Sequence, residues 1–113
     1  MTCEPWQVVV VPFPFTDRAA AKRRPAVVLS TRAFNRQGHS VLAMITSASH
    51  RPWPSDTSLT DLKSAGLTTP SLVRLKIFTL DSRFIARRIG VLSARDQAAV
   101  GAQLHDCLPG RSE

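Results

Sequence analysis

The sequence predicts a mainly β protein of the α+β class, in which short strands form a curled sheet or small barrel and one helix ends the chain. Short β-branched runs are separated by short loops. Strands and helices do not alternate as βαβ units require. The 113 residues, 43% of them hydrophobic, are enough for one core, so we expect a single domain over residues 1–113.

Three strands are predicted in the first half of the chain. Residues 6–11 are a β-branched run and form the first. Residues 25–31 form the second, since a proline such as Pro25 suits the first position of a strand. Residues 41–45 are continuously apolar and predict a third, buried strand.

The second half predicts two longer strands and the terminal helix. Residues 71–76 alternate so that Arg74 and Lys76 share one face of a strand, and residues 85–92 form the last strand. Ser93 begins a helix whose apolar stripe is spaced at helical intervals. Its members are Val100, Leu104 and Leu108.

The connections carry weaker signals. We expect a basic loop over residues 16–23, Phe34 packed on the core, a short edge strand at 57–60, a helical turn over 61–65 ended by Gly66, and a turn at 78–81 that leads into a brief helix.

The formal net charge of +7 and a pI near 11.1 indicate a polyanionic partner, either nucleic acid or an acidic protein. Composition does not separate these two, and a merely basic soluble protein is the plain alternative. Acidic residues do not cluster as a metal site requires, and the glycines lack phosphate-loop spacing. We therefore expect no metal and no cofactor.

Cys3 and Cys107 lie near opposite ends of the chain, without the spacing of a zinc site or a disulfide framework. We interpret both as reduced thiols with small buried side chains. No apolar run is long enough to span a membrane, and the N-terminal residues lack the basic-then-apolar pattern of a signal peptide. These features predict a cytoplasmic protein.

The most informative stretch is the basic run that precedes the second strand. Lys22, Arg23 and Arg24 are followed at once by Pro25 and an apolar run. Proline disfavours helix for the residue before it, so Arg24 should stand at the mouth of a strand. A guanidinium held there is placed to clamp a phosphate with two parallel hydrogen bonds. A solvated basic turn is the simpler alternative.

A second feature is the row of hydroxyl groups that follows the third strand, beginning with Thr46 and Ser47. Such groups commonly cap local backbone, or they donate hydrogen bonds to an oxygen that becomes charged. Trp53 lies between two prolines, so it either stacks on a nucleobase or plugs one end of the barrel.

The sequence resembles the PemK/MazF family of toxins from type II toxin–antitoxin systems, which are sequence-specific endoribonucleases that cut mRNA. Four segments match in order: residues 8–17, 22–30, 45–47, and 70–74 running into 78–81. The resemblance implies an SH3-like β-barrel of the PemK/MazF/CcdB type with a C-terminal α-helix. It also implies a homodimer.

In this family the residues that match Arg24 and Thr46 support cleavage of single-stranded RNA without a metal. The implied reaction is attack of a ribose 2′-OH on the adjacent phosphate. The products are a 2′,3′-cyclic phosphate and a 5′-OH. Basic, hydroxyl and aromatic residues are the expected RNA contacts, namely Lys22, Arg23, Ser47, Trp53, Arg74, Lys76 and Arg87.

The general base is left open by the sequence. Plasmid PemK-like toxins carry an acidic residue where this chain has Lys76, so no carboxylate carries over from them. His50 has the pKa range for proton transfer, and Asp17 is the acidic residue of the loop before Arg24.

Two alternatives from other classes remain beside the ribonuclease. One is a non-catalytic toxin of the CcdB type that binds a protein such as DNA gyrase. The other is a plain nucleic-acid-binding barrel. The ribonuclease hypothesis implies a cognate antitoxin whose acidic, flexible tail covers the basic groove.

Overall fold

A computed structural model describes residues 2–13, 22–49 and 51–110. Its centre is a six-stranded antiparallel sheet with strand order β4-β5-β3-β2-β1-β6, so β4 and β6 form the two edges. The strands are β1 (Gln7–Phe13), β2 (Lys22–Val28), β3 (His39–Ser47), β4 (Thr57–Ser58), β5 (Ser71–Asp81) and β6 (Arg87–Val91). The predicted β fold with a C-terminal helix is confirmed.

Short helices join the strands and a longer one ends the chain. They are α1 (Arg32–Asn35), α2 (Leu62–Ala65), a 3₁₀ turn (Ser82–Phe84) and α3 (Ala94–Cys107). Ser93 caps α3 by accepting a hydrogen bond from the Asp96 amide, and Gly66 ends α2 in the left-handed conformation with φ 76°. Both predicted helix boundaries are confirmed.

The sheet buries apolar side chains on both faces. One cluster lies between the sheet and α3 and comprises Val8, Val27, Ala43, Ile45, Leu59, Ala65, Val73, Leu92 and Val100. The other comprises Cys3, Val9, Val11, Ala26, Val28, Leu42, Leu80 and Ile85. Burial on both faces explains why the central strands read as continuous apolar runs.

A buried carboxylate joins α3 to the segment before α2. Asp96 is 1% exposed and accepts hydrogen bonds from the amides of Thr60 and Asp61 at 3.1 Å and from the Thr60 hydroxyl at 2.8 Å. Burial alone would raise the pKa of Asp96, but the hydrogen bonds outweigh it and hold that pKa below its usual value.

The second strand begins earlier than predicted. It starts at Lys22, three residues before Pro25, and the loop predicted over residues 16–23 otherwise falls largely outside the described residues. Pro25 lies opposite Val10 of β1, beyond the ladder with β3, which begins at Ala26. A proline, which has no amide hydrogen to donate, is tolerated there because Pro25 is paired with β1 alone.

The third and fifth strands are longer than predicted, and the turn predicted at 78–81 is wrong. That segment is the end of β5, which pairs with β3 as far as Asp81 opposite His39. The register shifts between Ala43 and Met44. A bulge of this kind breaks the alternation of side chains, so the strand's continuation is hidden from a period-two pattern.

Two predictions about side-chain burial are also corrected. Phe34 is 38% exposed, and its neighbour Asn35 is the buried residue of α1. The Asn35 amide donates to the carbonyl of Cys3 at 2.8 Å, which satisfies the buried polar group. Leu108 lies beyond the end of α3 and is 51% exposed.

The two cysteines differ in their surroundings. Cys3 is buried, as predicted, and burial raises the pKa of its thiol. Cys107 is exposed in the last turn of α3, contrary to the prediction of a buried side chain. Among the described residues no helix is both long and apolar enough to cross a membrane.

Candidate functional site

The site lies where β2 and β3 separate. Their ladder runs from Val28 opposite Leu42 to Ala26 opposite Met44. Carrying the register two residues further places Arg24 across from Thr46. Both residues are half-buried, and both line the same two cavities. The structure thus brings the two predicted residues together at the open end of one strand pair.

The first cavity is cationic and measures about 240 Å³. Its lining residues are Phe13, Arg24, Met44, Ile45, Thr46, Arg74 and Lys76. Two of the cations lie near the Phe13 ring, with the Arg24 guanidinium carbon 5.7 Å and the Lys76 Nζ 5.8 Å from its centroid. These distances fit cation–π contacts, which help to hold like charges near one another.

Arg24 carries a polar group that the described protein does not satisfy. Its Nε is buried and has no hydrogen-bond partner among the described residues. A buried donor without a partner costs stability unless a ligand or water meets it. Because the Arg24 side chain lines both cavities, its positive charge lies beside any anion that binds there.

Arg74 is held by a carboxylate that the sequence analysis did not single out. Its Nε donates to Oδ1 of Asp56 at 3.1 Å and its Nη2 to Oδ2 at 2.8 Å. Nη2 also donates to the Arg51 carbonyl at 2.7 Å. The hydrogen bond to Arg74 lowers the pKa of Asp56, and the same bond raises the pKa of Arg74.

Trp53 does not plug an end of the sheet. It is 42% exposed, and its indole ring lies over the Arg74 guanidinium, 4.7 Å from the guanidinium carbon to the ring centroid. The Trp53 amide donates to Oδ2 of Asp56 at 2.7 Å. The indole is therefore fixed beside the cationic cavity and keeps substantial exposed surface.

The second cavity measures about 270 Å³ and is lined largely by hydroxyl-bearing and apolar residues. Besides Arg24 and Thr46, its lining comprises Pro25, Ile45, Ser47, Gly66, Leu67, Thr68, Thr69 and Ser71. The segment that follows α2 thus forms one wall of the site. The sequence of this segment has no charged residue and no motif that distinguishes it from an ordinary loop, so its place at the site could not be predicted from the sequence.

The remaining predicted RNA contacts are Ser47, Lys22, Arg23 and Arg87. Ser47 lines the second cavity, but its hydroxyl is engaged with that of Ser49 at 2.9 Å. Lys22 and Arg23 are exposed at the start of β2, and Arg23 faces the side opposite to Arg24 because adjacent strand residues alternate. Arg87 is exposed on the edge strand β6.

The two candidates for the general base, Asp17 and His50, lie outside the described residues. Among the described residues that line the two cavities, none is Asp, Glu or His. The described part of the chain also holds no cluster of three or more His, Cys, Asp or Glu side chains that would suit a metal ion.

The fold and the site together define a small curled-sheet protein with a cationic cavity at the open end of its two central strands. A family model described as PemK-like, MazF-like toxin of type II toxin–antitoxin system matches residues 4–108. The chain therefore belongs to this family of toxins, a class of endoribonucleases. A comparison with curated protein sequences gives no match.

Solved structures with the same fold are numerous. A MazE–MazF complex from Deinococcus radiodurans has 24% identity and a TM-score of 0.74, covering 94% of this chain and 95% of that one. An endoribonuclease bound to its cognate antitoxin from a Mycobacterial species has 18% identity and a TM-score of 0.73, covering 97% and 98%. The Mycobacterium tuberculosis toxin MazF-mt6 has 19% identity and a TM-score of 0.70, covering 88% and 93%.

Proposed function

We propose that this toxin cuts single-stranded RNA without a metal ion, at a phosphate bound between Arg24 and Thr46. The observation that carries the proposal is the placement of these two residues on the shared border of both cavities. A phosphodiester has a nucleotide on each side, so a site that binds one needs space on both sides of its anion contacts. The Arg24 side chain supplies positive charge for that anion, and its Nε has no hydrogen-bond partner among the described residues.

The chemistry requires charge stabilisation and proton transfer. A ribose 2′-oxygen loses its proton and bonds to phosphorus, while the bond from phosphorus to the 5′-oxygen breaks. The products are a 2′,3′-cyclic phosphate and a 5′-hydroxyl that has gained a proton. Arg24 neutralises negative charge that grows on the non-bridging oxygens, and Thr46 donates a further hydrogen bond to them.

The base that takes the 2′-proton is assigned to His50 or Asp17, and a pH profile separates them. An imidazole has an ordinary pKa of about 6.5 and a carboxylate of about 3.9. With His50 as the base, cleavage falls as the pH drops below about 6, and His50→Gln removes that limb. With Asp17 as the base, cleavage persists to lower pH, and Asp17→Asn abolishes cleavage.

The proposed partners follow from charge and from the family. The homodimer is proposed from the family alone, and an antitoxin with an acidic, flexible tail fits a chain of net charge +7 with three cations around one cavity. The expected mass in solution is twice that of the 12.4 kDa chain. Light scattering after size-exclusion chromatography measures it.

Substitution of Arg24 tests the proposed activity directly. Arg24→Ala is expected to lower RNA cleavage at least about 100-fold, since removing one donor to a developing oxyanion commonly costs that much. Cleavage of a long single-stranded RNA by wild-type protein is expected to persist in EDTA. Arg95→Ala is the matched control, because it removes the same charge from an exposed position on α3.

The outcomes separate the three classes of function. Undiminished cutting by Arg24→Ala protein would show that the site is elsewhere. RNA binding with a steep salt dependence and no cutting would favour a plain binding module. Wild-type protein that neither binds nor cuts RNA would favour a toxin that acts on a protein target.

A further inference from the structure

The Arg51–Asp56 segment contacts Arg74, which lines the cationic cavity, chiefly through the Asp56 carboxylate. Both oxygens of Asp56 bind the Arg74 guanidinium, and Oδ2 also accepts the Trp53 amide hydrogen. The Asp56 amide donates back to the Trp53 carbonyl at 3.1 Å. One side chain therefore sets the positions of a cation and of an aromatic ring.

The ion pair is sheltered from water. The side chains of Arg74 and Asp56 are 13% and 8% exposed, whereas those of the pair Arg83–Asp81 are 76% and 42% exposed. A bidentate pair in a sheltered place holds its geometry, while an exposed pair contributes little. The Arg74–Asp56 contact is thus built to fix an orientation.

That orientation leaves one part of the guanidinium for a ligand. Nε and Nη2 are bound to Asp56 and to the Arg51 carbonyl. Within the described part of the chain, the hydrogen bonds of Arg74 involve these two nitrogens. The two N–H groups on Nη1 are the donors that remain for an oxygen in the cavity that Arg74 lines with Arg24 and Thr46.

We propose that Asp56 is a positioning residue for RNA cleavage, which acts by holding the Arg74 guanidinium so that Nη1 meets the RNA phosphate beside Arg24. This inference rests on the function proposed above. A guanidinium free to rotate would lose the alignment that makes a fixed donor effective, and small displacements of catalytic groups are costly. Asp56 itself does not contact the RNA.

A double-mutant cycle tests the role, using Asp56→Asn, which conserves the side-chain volume. Asp56→Asn is expected to lower kcat for RNA cleavage roughly 10- to 100-fold with a much smaller change in KM. Arg74→Ala is expected to lower it at least as much. Because Asp56 acts through Arg74, adding Asp56→Asn to Arg74→Ala should cause no further loss.

Two more variants distinguish orientation from charge and from folding. Arg74→Lys keeps the positive charge but lacks the planar fork, so it should lose activity much as Asp56→Asn does. Asp81→Asn is the matched control, because it removes a carboxylate from the exposed pair with Arg83 at the other end of β5. Thermal unfolding of each variant confirms that it is folded.

Wild-type levels of cleavage by Asp56→Asn protein, or a further loss in the double variant beyond Arg74→Ala, would overturn the role of Asp56 and leave the proposed ribonuclease standing. Absence of cleavage by wild-type protein would overturn the proposed function itself, and the role of Asp56 with it.

Discussion

At the scale of single residues, the site depends on where two neighbouring strands stop pairing. Beyond Ala26 and Met44 the β2–β3 ladder ends, and the next residues on the same face are Arg24 and Thr46. A side chain at such a place is supported by a rigid strand yet opens towards a cavity. This explains how half-buried groups stay accessible to a ligand.

The hydroxyl of Thr46 is predicted to matter for its hydrogen bond and not for its shape. Thr46→Val keeps the branched side chain and removes the donor, so kcat for RNA cleavage should fall about 100-fold, as for loss of one oxyanion donor. Thr46→Ser keeps the hydroxyl and should stay within a few-fold of wild type. Equal losses in the two variants would show that packing, and not donation, is what Thr46 provides.

The sequence signals for the site were local ones. Arg24 could be placed at a strand mouth because the adjacent Pro25 restricts its backbone, and Thr46 because it follows an apolar run. The partner of Arg74 could not be found in this way. Asp56 lies 18 residues earlier in the chain, and only the pairing of distant segments brings the two together.

At the scale of elements, α2 and β6 approach so closely that two glycines are required. A Cβ atom on Gly90 would lie 2.3 Å from the carbonyl carbon of Ala65, and one on Gly66 would lie 2.0 Å from the Ile89 oxygen. Both contacts are with backbone, which cannot give way as the end of a flexible side chain can. The position of the segment after α2, and hence one wall of the second cavity, depends on this approach.

Replacing glycine by alanine should change the free energy of unfolding in opposite directions at Gly90 and at Gly101. Gly90→Ala is expected to destabilise the protein by roughly 1–3 kcal/mol, because the methyl group overlaps the backbone of α2. Gly101→Ala lies inside α3 with nothing within 4 Å of the added atom, and should stabilise by about 0.5–1 kcal/mol. Denaturant unfolding measures both, and an unaffected Gly90→Ala protein would contradict the close approach.

The stability that Asp96 contributes by linking α3 to the segment before α2 should depend on pH. Its folded-state pKa is lowered, so its stabilising contribution is present above the unfolded pKa of about 3.9 and is lost as the pH falls through the folded value. Asp96→Asn should cost about 1–3 kcal/mol at pH 7, and this difference should shrink below about pH 4. The exposed Asp106→Asn is the control. A difference that does not vary with pH would show that the charge of Asp96 is not what stabilises the helix.

The elements could be predicted where their signals are short-range. The Ser93 cap and the Gly66 stop act within one helical turn, so both boundaries were found. The end of β5 could not be found, because its register shift against β3 is set by the pairing of two distant strands. The same holds for Asn35, whose burial depends on a carbonyl 32 residues earlier in the chain.

At the scale of the whole molecule, charge and aromatic surface should make separable contributions to RNA binding. The chain carries a formal charge of +7, and Lys76 lies exposed at the cationic cavity. Cations that neutralise phosphates release counterions, so binding through them weakens as salt rises. Stacking of a base on an exposed ring such as Trp53 depends far less on salt.

A fully 2′-O-methylated RNA, which lacks the attacking hydroxyl, measures binding without cleavage. Lys76→Ala should flatten the plot of log affinity against log salt by roughly 0.7, the value for one phosphate contact on a single strand. Trp53→Ala should lower affinity by about 1–3 kcal/mol at every salt concentration and leave the slope unchanged. A flatter slope in Trp53→Ala would show that the indole acts through the Arg74 guanidinium beneath it, because only the loss of a cation's phosphate contact changes the number of ions released.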